Sequence, residues 1–151
     1  MTMHVDFYYT MRSPYCYLAT PVLTGLVEEY DLFFNLKVVY PLALSDKTFF
    51  KKINPMWPSY LDKDIRRIAA RLKIPFRRPR PDPIVQDLTT REVAESQPYI
   101  ERLTYFAQIA SERGRGLDYV CAVSGLLHDP EVDGWDSGNH LRDAMSIAGF
   151  E

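Results

Sequence analysis

A chain of 151 residues, 46% hydrophobic and 25% charged, has the composition of a soluble globular protein and is long enough to bury one core. Its formal net charge of −2 excludes the global positive field that would hold nucleic acid or an anionic membrane. The N-terminal residues lack the basic start and apolar run of a signal peptide. No stretch approaches the roughly 18 apolar residues of a spanning helix, so the expected location is cytoplasmic.

Residues 3 to 9 alternate, with Val5, Phe7 and Tyr9 on one face and His4, Asp6 and Tyr8 on the other, which predicts a strand. After a break at Thr10-Met11-Arg12, Ser13-Pro14 reads as a helix cap followed by proline at the first helical position. The helix is expected from Pro14 to about Glu29, with Leu18, Val22, Leu26 and Tyr30 as its apolar stripe and a bend at Pro21. Phe33 to Tyr40 alternates again as a second strand, closed by Pro41. The opening strand–helix–strand order is that of an α/β sheet with a crossover connection.

Beyond Pro41 the pattern becomes helical. Tyr60 to Lys73 is amphipathic, with Ile65, Ile68, Ala69 and Leu72 inward. Pro75 to Pro83 holds four prolines and reads as a loop. Further helices are expected at Val85 to Ser96, Pro98 to Arg113, Leu117 to His128 and Ser137 to Ala148, punctuated by Pro98, Gly114, Gly116 and Asp129-Pro130. These readings divide the chain into an N-terminal β-α-β part at 1–45 and a helical domain at 46–151.

The informative segment is Ser13-Pro-Tyr-Cys-Tyr-Leu-Ala19. A strand delivers the chain to a serine at the positive end of a helix, where unpaired N–H groups and aligned peptide dipoles favour negative charge. Serine does not ionise near neutral pH. It does donate a hydrogen bond to an incoming sulfur, stabilising the thiolate over the thiol. The plain alternative is that Ser13 is only a good helix cap.

This segment resembles the Ser-Pro-Tyr-x-Tyr-Leu signature of the 2-hydroxychromene-2-carboxylate isomerase and kappa-class glutathione transferase families. It also resembles the Cys-Pro-x-Cys-Tyr-Leu start of DsbA-type disulfide oxidoreductases. Tyr60-Leu-Asp-Lys-Asp-Ile-Arg-Arg-Ile-Ala69 and the exit Ile74-Pro-Phe76 look like the families' Tyr-x3-Asp-x2-Arg-x-Ala helix, and 134–151 looks like their late helix ending in Ala-Gly.

The resemblance implies an α/β, thioredoxin-like fold with a large α-helical insertion domain. Family members run on for about another 50 residues, in keeping with a complete domain of ~200, so the family's C-terminal strands are expected to be missing here and the edge of the first strand open. Glutathione is the implied cofactor, with Ser13 catalytic and Ser13, Pro14, Tyr15 and Asn54 binding it; Asn54-Pro55 matches a family Asn-x-Pro-Pro loop at compressed spacing. The implied chemistry is addition of the thiolate to an unsaturated aromatic acid, rotation about the resulting single bond, and expulsion of the thiolate. A transferase stops at addition or displacement. A homodimer is the expected assembly.

Two other readings stand beside this one. Cys16 allows a DsbA-like thiol–disulfide oxidoreductase, although serine at the first motif position removes the attacking thiol, and a cysteine one turn into a helix is commonly a small buried hydrophobe. An open sheet edge allows a non-catalytic thioredoxin-like binding module. Tyr15 and Tyr17 suit either an aromatic pocket or core packing.

Other motifs point to structure. Eight Lys/Arg and one Asp between Lys63 and Arg80 read as a solvated basic face, available to anionic ligands. Asp129 to Asp136 imitates a calcium loop, but His140 stands where the bidentate glutamate belongs. His4, His128 and His140 have no ligand spacing, and Cys16 and Cys121 form no disulfide framework. No Gly-x-Ser-x-Gly motif or glycine-rich phosphate loop occurs.

Overall fold

The computed structural model describes residues 1–90 and 92–151. Strand β1 (Met3–Tyr9) leads through helix α1 (Pro14–Glu29) to strand β2 (Leu32–Val38), which pairs with β1 in parallel, Val5 opposite Phe34 and Phe7 opposite Leu36. Two short helices, α2 (Leu42–Ser45) and α3 (Phe49–Lys52), precede α4 (Trp57–Leu72); α5 (Pro98–Glu112), α6 (Gly116–His128) and α7 (His140–Ile147) complete the order.

Parallel pairing explains which side of the sheet is open. The Met3 N–H donates to Asp31 C=O (2.9 Å) and the Val39 N–H to Tyr9 C=O (2.9 Å), so the odd-numbered residues of β1 turn their backbone groups toward β2. The backbone groups of His4, Asp6 and Tyr8 therefore face away from β2, along an edge with no paired strand among the described residues. Side chains alternate in the same way. Val5, Phe7 and Tyr9 pack inward, while His4, Asp6 and Tyr8 are exposed. On that outer face Asp6 accepts from Asn35 Nδ2 (2.7 Å) and lies 3.9 Å from Lys37 Nζ.

The main core joins the inner sheet face to the helices. Tyr9 and Leu36 meet Ile100, Leu103 and Ala107 of α5, Tyr119, Val120, Val123 and Leu127 of α6, and Trp135 and Ala144 beyond. At about 25 cal/mol per Å² of apolar surface removed from water, each such large side chain contributes roughly 1.5–3 kcal/mol. Gly116 is required where α6 crosses β2, because a Cβ there would lie 2.7 Å from Leu36 Cβ. A second cluster sets Tyr17 and Leu18 of α1 against Ile65 and Ala69 of α4.

Several expectations are corrected. The predicted helix at Val85 to Ser96 is absent; among the described residues of this stretch, Gln86 and Val93 form an antiparallel bridge. Asp87 Oδ1 accepts from the N–H groups of Thr89 (2.7 Å) and Thr90 (2.8 Å), which holds a side-chain-closed turn in place of a helical one. The late helix begins at His140, not Ser137, because Ser137 N–H and Oγ both bond Gly134 C=O in the preceding turn. Val22 on α1 and Tyr30 at its C-cap are each 54% exposed, so the expected stripe fails at those two positions, while Leu26 is half-buried. Leu72 of α4 is likewise exposed.

Candidate active site at the start of helix α1

Ser13 occupies the N-cap of α1 in extended backbone geometry (φ −77°, ψ 119°), with Pro14 in the first turn. Its Oγ accepts from the Cys16 N–H at 3.4 Å, long for such a bond, and its backbone C=O accepts the Tyr17 N–H at 3.2 Å. Because the oxygen is the acceptor in this bond, the hydroxyl proton stays available to a partner outside the helix. Pro14 has no N–H to offer, and among the described residues the Tyr15 N–H meets no protein acceptor. The turn thus presents a hydroxyl and a backbone donor at the positive end of a 16-residue helix.

The ring of residues behind this turn is tightly bonded. Tyr15, partly exposed, donates its hydroxyl to Asp64 Oδ2 of α4 at 2.6 Å. Partial desolvation and this carboxylate acceptor push the Tyr15 phenol up to about 12, so it stays protonated at neutral pH. Tyr17 is buried and donates to Pro75 C=O at 2.8 Å. Its ring stacks on His128 (4.6 Å between centroids), which also stacks with Phe76 (5.3 Å). Burial drives the His128 imidazole down to about 4, against the opposing hydrogen bond to Arg77 C=O (2.9 Å) and helped by the Arg78 charge. His128 is therefore a neutral packing group at the end of α6.

Arg12 and Asp82, which sequence reasoning did not single out, form the ion pair beside Ser13. Arg12 Nε and Nη2 donate to Asp82 Oδ1 and Oδ2, each at 2.8 Å, and the guanidinium lies 6.0 Å from the Phe50 ring centroid. A separation of 70 residues hides such a pair from any local pattern. The one available signal was an arginine directly before the cap serine.

The four residues implied by resemblance fall into two groups. Ser13, Pro14 and Tyr15 share the first turn of α1. Asn54 lies on the exposed approach to α4, where its Oδ1 accepts the Met56 N–H (2.9 Å) and shapes the local turn. Two open clefts lie elsewhere: about 340 Å³ bounded by Arg102, Phe106, Leu141 and Phe150, and about 300 Å³ bounded by Tyr40, Leu44 and Gln97.

Cys16 is half-buried against the main core. Cys121 lies 3.5 Å from Thr24 Oγ1, and burial pushes its thiol up, away from thiolate character. Among the described residues no three His, Cys, Asp or Glu side chains are grouped to hold a metal ion, and no helix is long and apolar enough to cross a membrane.

A strand feeding a capped helix, a parallel return strand and a helical body is the arrangement of a thioredoxin-like α/β protein. Residues 4–113 match the DSBA-like thioredoxin domain family, and the chain belongs to that family. The solved structure of a 2-hydroxychromene-2-carboxylate isomerase is similar at a TM-score of 0.66 and 20% identity, with 99% of this chain and 67% of that chain covered. That likeness is one of fold. No curated protein matches the chain.

Proposed function

We propose that the chain is a glutathione-dependent isomerase or transferase acting on an unsaturated aromatic acid, with Ser13 as the catalytic residue that stabilises the glutathione thiolate. The observation that carries this reading is the loosely engaged Ser13 hydroxyl at the N-terminus of α1. The residues fit the group chemically: a sulfur anion wants hydrogen-bond donors and a positive dipole end, and the first turn offers the Ser13 O–H and the Tyr15 N–H. Bound there, glutathione supplies a nucleophilic sulfur that adds to and leaves an electron-poor double bond. Ser13 donates its proton toward that sulfur without ionising. Pro14 fixes the turn, and Tyr15, held by Asp64, forms one wall. Asn54 is a more distant candidate for ligand contact. The fold neighbour's small-molecule chemistry favours the isomerase version.

The test is turnover of 2-hydroxychromene-2-carboxylate, followed by absorbance with and without glutathione. Glutathione-dependent conversion, reduced about 10²–10³-fold in Ser13→Ala, is the expected result, the magnitude being that of losing one transition-state hydrogen-bond donor. Conversion that survives Ser13→Ala but fails in Cys16→Ala would move the catalytic role from Ser13 to the Cys16 thiol and overturn this reading.

A second reading is a non-catalytic module that binds a partner strand. The edge of β1, which has no paired strand among the described residues and carries exposed His4, Asp6 and Tyr8, favours it. Absence of glutathione binding together with concentration-dependent self-association in a sizing experiment would select it, with a homodimer as the simplest product.

A further inference from the structure

Ser13 cannot hold its own side chain. Its one hydrogen bond within the helix, to the Cys16 N–H, is 3.4 Å long, and the hydroxyl sits on a turn that connects β1 to α1. The position of the hydroxyl is therefore set by the backbone of residues 10–13. That backbone is tied across the molecule by the residue immediately before the cap. Arg12 engages Asp82 through both Nε and Nη2 at 2.8 Å, and its side chain is only 21% exposed.

Asp82 is itself fixed from below. Its Oδ1 also accepts the Ile84 N–H at 2.9 Å, and Ile84 is buried. The flanking Pro81 C=O accepts from Trp135 Nε1 at 2.7 Å, and Arg80 C=O accepts the Gly134 N–H at 2.9 Å. Trp135 is 1% exposed within the main core. A continuous line of bonds thus runs from buried Trp135 in the α6–α7 connection, through the loop at 80–84, to the residue next to Ser13.

We propose that Arg12 and Asp82 are positioning residues for Ser13, a two-toothed clamp that transfers the rigidity of the core to the catalytic hydroxyl. This rests on the reading of Ser13 as the thiolate's hydrogen-bond donor. The paired fork is suited to the task because two parallel N–H···O bonds fix orientation as well as distance, which a lysine cannot do. The charge of Arg12 is largely cancelled by Asp82, so its contribution is geometric. A purely electrostatic role predicts the opposite sign: freeing Arg12 by Asp82→Asn would then stabilise a nearby thiolate further.

Thiolate absorbance of bound glutathione against pH, on folded wild type, Arg12→Met, Asp82→Asn and Arg12→Lys, reads the clamp directly. Both Arg12→Met and Asp82→Asn are expected to raise the bound thiol's pKa toward its free value by about half a unit to one unit, the size of a helix-terminus interaction. Arg12→Lys should restore part of the effect. A second arm needs no glutathione. Ser13→Cys in a Cys16→Ala, Cys121→Ala background places a reporter thiol at the same point, and its alkylation rate against pH should show the same ordering when the clamp variants are added.

If wild type fails to stabilise the glutathione thiolate yet the reporter thiol follows the clamp, the clamp stands and the proposed function falls. If wild type stabilises the thiolate and neither arm responds to the clamp variants, the clamp is overturned. A lowered pKa in Asp82→Asn overturns it as well, since charge rather than position would then be acting. Loss of stability in all variants with both thiols unmoved assigns the pair to structure alone and also overturns the proposal.

Discussion

The two halves of α1 are treated very differently by the rest of the molecule. Around its first turns, Arg12 is clamped to Asp82, Tyr15 is bonded to Asp64, Tyr17 is bonded to Pro75 and stacked on His128, and Leu18 is 3% exposed. Along its later turns Val22 and Val27, and Tyr30 at the C-cap, face solvent, and Thr24 Oγ1 bonds within the helix to Thr20 C=O (3.0 Å) and reaches another element only through a 3.5 Å contact with Cys121 Sγ. Continuing a helix does not require side-chain anchorage, but holding donors at its start in one place does. The asymmetry places the rigidity where the Ser13 hydroxyl and the Tyr15 N–H stand.

The largest expected effect that tests this contrast is at Leu18. Leu18→Ala removes a buried side chain between α1 and α4 and should cost about 2–5 kcal/mol in urea unfolding. A loss below about 1 kcal/mol would mean that the first turns are not held as described.

Acid is the next probe. His128 is fully buried and its folded-state pKa is depressed to about 4, so the unfolded chain binds a proton before the folded one does. Stability contributed by the neutral ring is present above the unfolded value of about 6.5 and is lost as pH falls from there toward 4, by on the order of 3 kcal/mol. His128→Phe, which keeps the stack on Tyr17 and Phe76, should flatten that part of the stability profile. An unchanged acid slope would contradict the assignment.

Gly116→Ala forces a methyl group against Leu36 and is expected to cost about 1–3 kcal/mol by the same denaturant measurement. The smallest effect belongs to the open half of α1. Val22→Ala, at a 54% exposed position, should alter stability by no more than about 0.5 kcal/mol. A large loss there would erase the difference between the halves.

Local chemistry made much of this legible in advance. Alternation at Val5, Phe7 and Tyr9, the Ser13-Pro14 cap and the Ile65/Ala69 spacing are short-range signals, and β1, the start of α1 and the inward face of α4 follow from them. The stripe through Val22 and Tyr30 failed because periodicity identifies an apolar face without saying which neighbours exist to cover it. The helix expected at 85–96 failed because Asp87 offers its carboxylate to backbone N–H groups that a helix would have used. At the candidate site, Ser13, Pro14 and Tyr15 were visible through the motif they share. Arg12–Asp82 and the His128 stack were not, since each joins residues whose proximity exists only after folding.

The central claim is that the Ser13 hydroxyl holds a foreign sulfur as its anion. Ultraviolet difference titration of the glutathione complex, wild type beside Ser13→Ala, measures that property without reference to any substrate. The bound thiol should ionise at least about one unit below free glutathione in wild type, and Ser13→Ala should return it most of the way. Identical titration curves for the two proteins, or a bound thiol that ionises as it does in water, would contradict the account.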